Sequence, residues 1–235
     1  MKRDMNRRDI LLGSLAAGAS LALPAFARAR SGPLEDSFDA AFTGAKPAPP
    51  PAPAPIPVMA ENPAYTRRVL EIAAREVQKA GSAVWRRDIV GVADFARPSA
   101  LPRFHFANLE SGTVRSFYVA HGRGSDPEHD GWLKNFSNTP GSEATSRGAY
   151  LTCEWYNGKY GTSIRLEGLD PDNSNALDRA IVMHPASYAA QSHLARWGKL
   201  GRSEGCFAMS PDQFNEALWH LSGGRLLYAD RIEIA

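Results

Sequence analysis

The chain has 235 residues, 43% of them hydrophobic, with 27 Lys and Arg against 25 Asp and Glu and only two cysteines. That length holds one substantial domain with its own core, and so few cysteines cannot staple a miniature scaffold, so disulfide-dense mini-proteins are excluded. Four of the basic and two of the acidic residues lie within residues 1–27, leaving 23 of each sign beyond them, so bulk charge gives no support to a nucleic-acid-binding protein.

Lys2, Arg3, Arg7 and Arg8 make the first eight residues positive, residues 10–23 are apolar or small, and Ala25-Phe26-Ala27 offers a small-x-small cleavage site, the order of an export signal. The apolar run of about 14 residues is short of the roughly 20 needed to span a bilayer as a helix. The Arg7-Arg8 pair before it predicts a twin-arginine signal over residues 1–27 and a periplasmic mature protein. No cysteine stands at the cleavage site to carry a lipid anchor, so no stable membrane insertion is expected after cleavage. Residues 28–60 are rich in Ala, Gly and Pro and end in an alternating Pro/Ala run from Pro47 to Pro55. Such a run favours polyproline II geometry and reads as a semi-rigid linker. The folded domain is expected over residues 61–235.

Within it, Val69, Leu70, Ile72, Ala73, Val77 and Ala80 recur at helical intervals and Gly81 supplies a stop, which predicts a helix over 63–80. Short β-like pieces follow at 89–95, 104–109 and 113–120. The last two are predicted to form a hairpin around Glu110-Ser111-Gly112. The stretch 122–147 is rich in Gly, Ser, Asn, Asp and Pro, with Trp132 and Phe136 as apolar anchors. A connection of that length predicts a loop lining a cleft. Further strands are expected at 148–154, 160–166, 180–184 and 226–232. A helix is expected at 212–221, where Phe214, Ala217, Leu218 and Leu221 share a side and Gly223-Gly224 follows. The pattern is a β-rich mixed α+β domain with peripheral helices, without an internal repeat or a glycine-rich phosphate loop.

The chemistry concentrates in Gly201-Arg202-Ser203-Glu204-Gly205-Cys206, where small and polar residues lead into one cysteine and a helix start is expected directly after it. Gly205 permits a tight turn and a close approach of backbone to substrate, and amides around Cys206 can face a developing oxyanion. A thiol there becomes a nucleophile when a histidine is in reach. His184, ending a predicted strand and followed by Pro185, is the candidate. The plain alternative is a Cys153–Cys206 disulfide in an oxidising compartment. The six histidines show neither a His-Glu-x-x-His pair nor partner cysteine pairs, which disfavours a metal site.

Together, His184, Ser203-x-Gly205-Cys206, and the upstream blocks Tyr118-Val119-Ala120-His121-Gly122, Gly148-Ala149-Tyr150 and Leu166-Glu167-Gly168 resemble the murein L,D-transpeptidase catalytic domain, in the YkuD-like superfamily and its divergent second branch. The resemblance runs from about Val90 to Ile232. It implies an L,D-transpeptidase-like β-sandwich, Cys206 as nucleophile, His184 as general base, Gly205 and Cys206 amides as the oxyanion hole, and Ser203 as a residue holding the nucleophile loop. It also places His121 and Gly122 near the cleft, His121 either as a substrate contact or as a structural hydrogen-bonding residue. The broader superfamily has His after the motif Ser and Arg two positions after the Cys, where this chain has Glu204 and Ala208, so carboxylate recognition is expected to fall to Arg202 or Arg147. Pro185 replaces the usual Gly after the His, and the third triad member stays unassigned.

The implied reaction is thioester formation on a peptidoglycan tetrapeptide stem with release of D-Ala, then attack by a second stem's amine to give a 3→3 crosslink, with no metal or organic cofactor. Water as acceptor would make the same site an L,D-carboxypeptidase, and an envelope-protein amine would make it a protein anchor. The competing class is a non-catalytic exported peptidoglycan-binding domain closed by the disulfide. A papain-like peptidase is disfavoured because His184 precedes Cys206.

Overall fold

The computed structural model describes residues 62–232, so the export signal and linker read at residues 1–60 lie outside the described residues. Along the described chain run α1 (Pro63–Ala80), β1 (Ile89–Asp94), β2 (Phe104–Asn108), β3 (Thr113–Phe117), β4 (Gly148–Gly158), β5 (Gly161–Gly168), β6 (Val182–Pro185), α2 (Gln191–Trp197), β7 (Phe207–Met209), α3 (Pro211–Leu221) and β8 (Leu226–Asp230). The strands form one sheet in the order β3-β2-β1-β8-β4-β5-β6-β7. The β1–β8 and β6–β7 pairs are parallel and the others antiparallel. Ala120, three residues beyond edge strand β3, donates its N–H to Ala208 O in the opposite edge strand β7 at 2.8 Å. The sheet therefore curls until the chain leaving one edge touches the other, without closing fully. This is the β-rich mixed α+β domain with peripheral helices that the sequence predicts.

Each face of the sheet buries a different helix. Asn62 caps α1, its side chain accepting from Ala64 N at 3.0 Å, and Pro63 occupies the first turn, where its missing N–H costs nothing. Tyr65, Val69, Ile72, Ala73 and Val77 then form one buried stripe against Val90, Val92, Ala107, Ala149 and Leu226. The alternate residues of the same strands, Ala93, Phe106, Leu227 and Ala229, point into the larger core with Phe95, Tyr150, Ile164, Leu166, Met183, Phe207 and Met209, which α3 covers through Phe214, Ala217 and Leu221. Burial of each large apolar side chain there contributes about 2 kcal/mol. The Tyr65 hydroxyl pins α1 to the sheet, donating to Asp94 Oδ2 at 2.7 Å and lying 2.8 Å from His105 Nε2.

Several expectations are corrected. The residues after Cys206 form strand β7, not a helix start; α3 begins at Pro211 with Ser210 as its N-cap, and Asp212 lies in the first turn. Strand β4 runs four residues past the predicted end at 154 and joins β5 in a hairpin through Gly158 and Gly161. Trp132 does not anchor the 122–147 loop, being 46% exposed; Leu133 is buried in its place, while Phe136 packs against the core as expected. Both cysteines are free thiols, which removes the Cys153–Cys206 disulfide. No helix of the described residues is long and apolar enough to cross a membrane.

Candidate active site

The β6–β7 ladder carries His184 on one strand and has Cys206 directly before the other. Met183 pairs with Phe207 and His184 with Ala208, and since Met183, Phe207 and Met209 all enter the core, strand alternation turns His184 and Ala208 to the opposite face; Cys206 lies in the bend directly before β7. His184 Nδ1 lies 3.1 Å from the Pro185 carbonyl oxygen. A carbonyl only accepts, so the imidazole carries its proton on Nδ1 and leaves Nε2 as a lone-pair acceptor. Pro185, without an N–H of its own, thus orients the ring through its carbonyl. Tyr160, from the β4–β5 turn, stacks on the imidazole at 4.5 Å between centroids with an interplanar angle of 23°. Burial holds His184 below its ordinary value, the Pro185 hydrogen bond opposing it.

Cys206 is buried, and its Sγ is 3.7 Å from Ala180 O. Ala180 has φ +53, a left-handed conformation rare for a residue with a Cβ. Burial pushes the Cys206 thiol up; the Val182 backbone hydrogen bond lowers it, Glu204 raises it further, and the Arg179 guanidinium lowers it. At neutral pH the site therefore holds a neutral thiol and a neutral imidazole, and no hydrogen bond joins them.

Ser203 shapes the turn before the cysteine. Its hydroxyl donates to Cys206 O at 2.6 Å and accepts from Gly205 N at 3.2 Å. Its backbone N–H donates to His121 O at 2.9 Å, and its carbonyl accepts from Arg123 N at 2.8 Å. Gly205 has φ +113, and a Cβ on it would lie 2.8 Å from Ile181 Cδ1 and 2.9 Å from Ala144 O. Gly122 lies against it: a Cβ on Gly122 would come within 2.7 Å of Gly205 N and Cα. Thr145 ties the two glycines, its hydroxyl accepting from Gly122 N at 2.9 Å and donating to Gly205 O at 3.2 Å. The 122–147 stretch is therefore a buttress for the loop before Cys206.

Of the other residues expected to meet substrate, Gly122 lies against Gly205, and His121, Arg202 and Arg147 have partners within the protein. His121 is 1% exposed, with Nδ1 2.8 Å from the Arg103 guanidinium and Nε2 3.3 Å from Asp126 Oδ2. Because Arg103 can only donate, Nδ1 accepts and the ring is neutral, consistent with burial holding it down to about 4. Arg202 donates to the backbone carbonyls of Asp126 and Pro127. Arg147 pairs with Asp230 at 2.7 Å in a separate polar cleft lined by Lys79, Asp170, Asp172 and Tyr228. Arg179, which sequence reasoning passed over, packs against the loop before Cys206, Nη2 lying 3.2 Å from where a Gly205 Cβ would stand; its only signal is its place directly before the predicted strand at 180–184. No cluster of three or more metal-binding side chains occurs among the described residues.

No curated protein matches the chain. Solved structures do: an L,D-transpeptidase from Mycobacterium smegmatis is 16% identical with a TM-score of 0.39, over 61% of this chain and 58% of that one. An L,D-transpeptidase from Mycobacterium tuberculosis H37Rv is 16% identical with a TM-score of 0.40 over the same shares. The helical cell shape determining protein Pgp2 from Campylobacter jejuni, as a mutant, is 12% identical with a TM-score of 0.39, over 72% of this chain and 56% of that one. The chain thus spans less than two thirds of the length of the solved chains it matches. The model of one family, described as the L,D-transpeptidase catalytic domain, matches residues 61–229. With that match covering most of the sequence, the chain belongs to the YkuD-like family of L,D-transpeptidase catalytic domains.

Proposed function

We propose that this domain is a cysteine acyltransferase acting on peptidoglycan stem peptides in the periplasm, with Cys206 as nucleophile and His184 as general base. What supports this reading is the family match over residues 61–229, together with a buried thiol directly before β7 and a carbonyl-oriented imidazole on the adjacent strand β6. As the sulfur attacks the carbonyl between the third stem residue and terminal D-Ala, its proton passes to His184 Nε2. The oxyanion meets the Cys206 N–H, joined by the Gly205 N–H when that amide leaves its long bond to Ser203. The C–N bond then breaks, His184 returns the proton to the departing D-Ala amine, and a thioester holds the stem. The side-chain amine of a second stem attacks the thioester, giving a 3→3 crosslink and regenerating the thiol. Neither cofactor nor metal enters these steps.

Mature protein and Cys206→Ala, each shown to be folded by circular dichroism, are incubated with purified tetrapeptide muropeptides and followed by mass spectrometry of protein and products. The expected result is a thioester adduct, D-Ala release and crosslinked dimers with wild type only, the fragment masses fixing which stem positions are joined. Tripeptide without dimers would assign a carboxypeptidase. Absence of both adduct and D-Ala release from folded, reduced wild type would overturn the reading.

A further inference from the structure

Arg179 closes the turn that leads into β6. Its backbone N–H donates to Asn175 O at 2.8 Å, and the next residue is the left-handed Ala180, whose carbonyl meets the Cys206 sulfur. The guanidinium spends its terminal donors on neutral acceptors of the 122–147 stretch: Nη1 on Ser137 O at 2.7 Å and Ser146 Oγ at 3.2 Å, and Nη2 on Ser142 Oγ at 3.3 Å and on Ala144 O. Nη2 also lies 3.2 Å from where a Gly205 Cβ would stand, so the cation is packed against the nucleophile loop. The ionisable groups that act on Arg179 are Tyr150 and Cys206, and no carboxylate is among them. Other arginines near this loop are spoken for: Arg123 pairs with Glu143 and Glu204. A half-buried guanidinium held by dipoles alone keeps its whole charge for whatever forms beside it, and screening by solvent is weak there.

We propose that Arg179 is a positioning residue for Cys206: it ties the 137–146 stretch to the nucleophile loop and brings to that loop a positive charge, favouring the thiolate against the opposing charge of Glu204. This rests on Cys206 being the nucleophile named above. Arg179 reaches the loop from the β6 side. In the acylation step its charge stabilises the sulfur as the S–H bond breaks and the proton moves to His184.

The test is the pH dependence of Cys206 alkylation by iodoacetamide, in which the thiolate displaces iodide, with Cys206 and Cys153 distinguished by peptide mass. Arg179→Gln is expected to move the Cys206 midpoint upward and slow its alkylation at neutral pH by about tenfold. Arg179→Lys, keeping the charge, is expected to stay near the wild-type midpoint. Loosening of the loop alone would change the limiting rate at high pH without moving the midpoint. Should Arg179→Gln fail to fold, Ser142→Asp keeps the arginine and gives it a carboxylate partner, and is expected to raise the midpoint likewise. An unchanged midpoint in Arg179→Gln, or in Ser142→Asp where that variant stands in for it, or equal shifts in the Lys and Gln variants, would overturn the proposal. Alkylation needs no stem peptide, so failure of the transpeptidase reading shows as missing muropeptide products while the Cys206 midpoints still respond to Arg179.

Discussion

Two glycines decide how closely the loop before Cys206 can be approached, and they do so for different reasons. Gly205 sits at φ +113, where a side chain is strained whatever the space around it. Gly122 has the ordinary φ of −70, yet a Cβ there would lie 2.3 Å from Glu143 O and 2.7 Å from Gly205 N. Only backbone surrounds it, so no side chain can swing aside. Gly122→Ala is therefore expected to destabilise the fold by about 3 kcal/mol through overpacking, read by urea denaturation, and to displace the Cys206 turn. A variant with wild-type stability and wild-type alkylation would show that the two loops do not bear on each other. The sequence singles out Gly205 by its place before the cysteine. Gly122 is visible only as part of a resemblance, because its role is a contact between segments far apart in the chain. The same separation explains His121: as a residue it looks fit to touch substrate, and only the buried Arg103 and Asp126 on its two nitrogens make it structural.

Among the elements, the legible ones carry a period or a turn. The stripe of α1 and the β2–β3 hairpin announce themselves, since each buries one face and exposes the other. Strand β7 has three residues, all buried, too few to show alternation, and α2 buries none of its residues, so it lacks an apolar stripe. The β4–β5 hairpin is hidden by a register shift between Thr152 and Trp155, which breaks the alternation where the prediction ended the strand. That hairpin matters to the site because its tip delivers Tyr160 onto His184. The ring excludes water from one face of the imidazole and so disfavours its charged form. Tyr160→Ala is expected to move the His184 titration upward toward its ordinary value of 6.5, followed by NMR of the imidazole carbon-bound protons. It would also put a protonated, non-basic His184 in a larger share of molecules near pH 6, lowering acylation there more than at pH 8. An unmoved titration would mean that the rest of the pocket, and not the hairpin, keeps His184 dry.

Over the whole molecule, buried neutral histidines set the response to acid. His105, between Tyr65 and Ser116, is held by burial down to about 3 and His121 down to about 4, while His184 is lowered as well. In the unfolded chain these groups return to 6.5. Between pH 6.5 and about 4, the unfolded state then binds protons that the folded state refuses, so the stability present above pH 6.5 falls as the pH falls. His105 and His121 alone account for close to two protons at pH 5, a slope of about 2.5 kcal/mol per pH unit, large against a total stability of roughly 5–15 kcal/mol. Carboxylates enter only at the acid end of this window: Glu143, which its hydrogen bond to Arg123 holds below 4.5, and Asp88, which its hydrogen bond to Arg225 holds below 3.8, lose their contributions as the pH falls below those values. Urea denaturation at pH 7, 6 and 5 should show the midpoint dropping steeply over the last unit, with a shallower drop in His121→Gln, where one proton-accepting group is gone. Equal stability at pH 7 and pH 5 would require both rings to charge without unfolding, which the Arg103 donor on His121 forbids so long as the contact seen here persists.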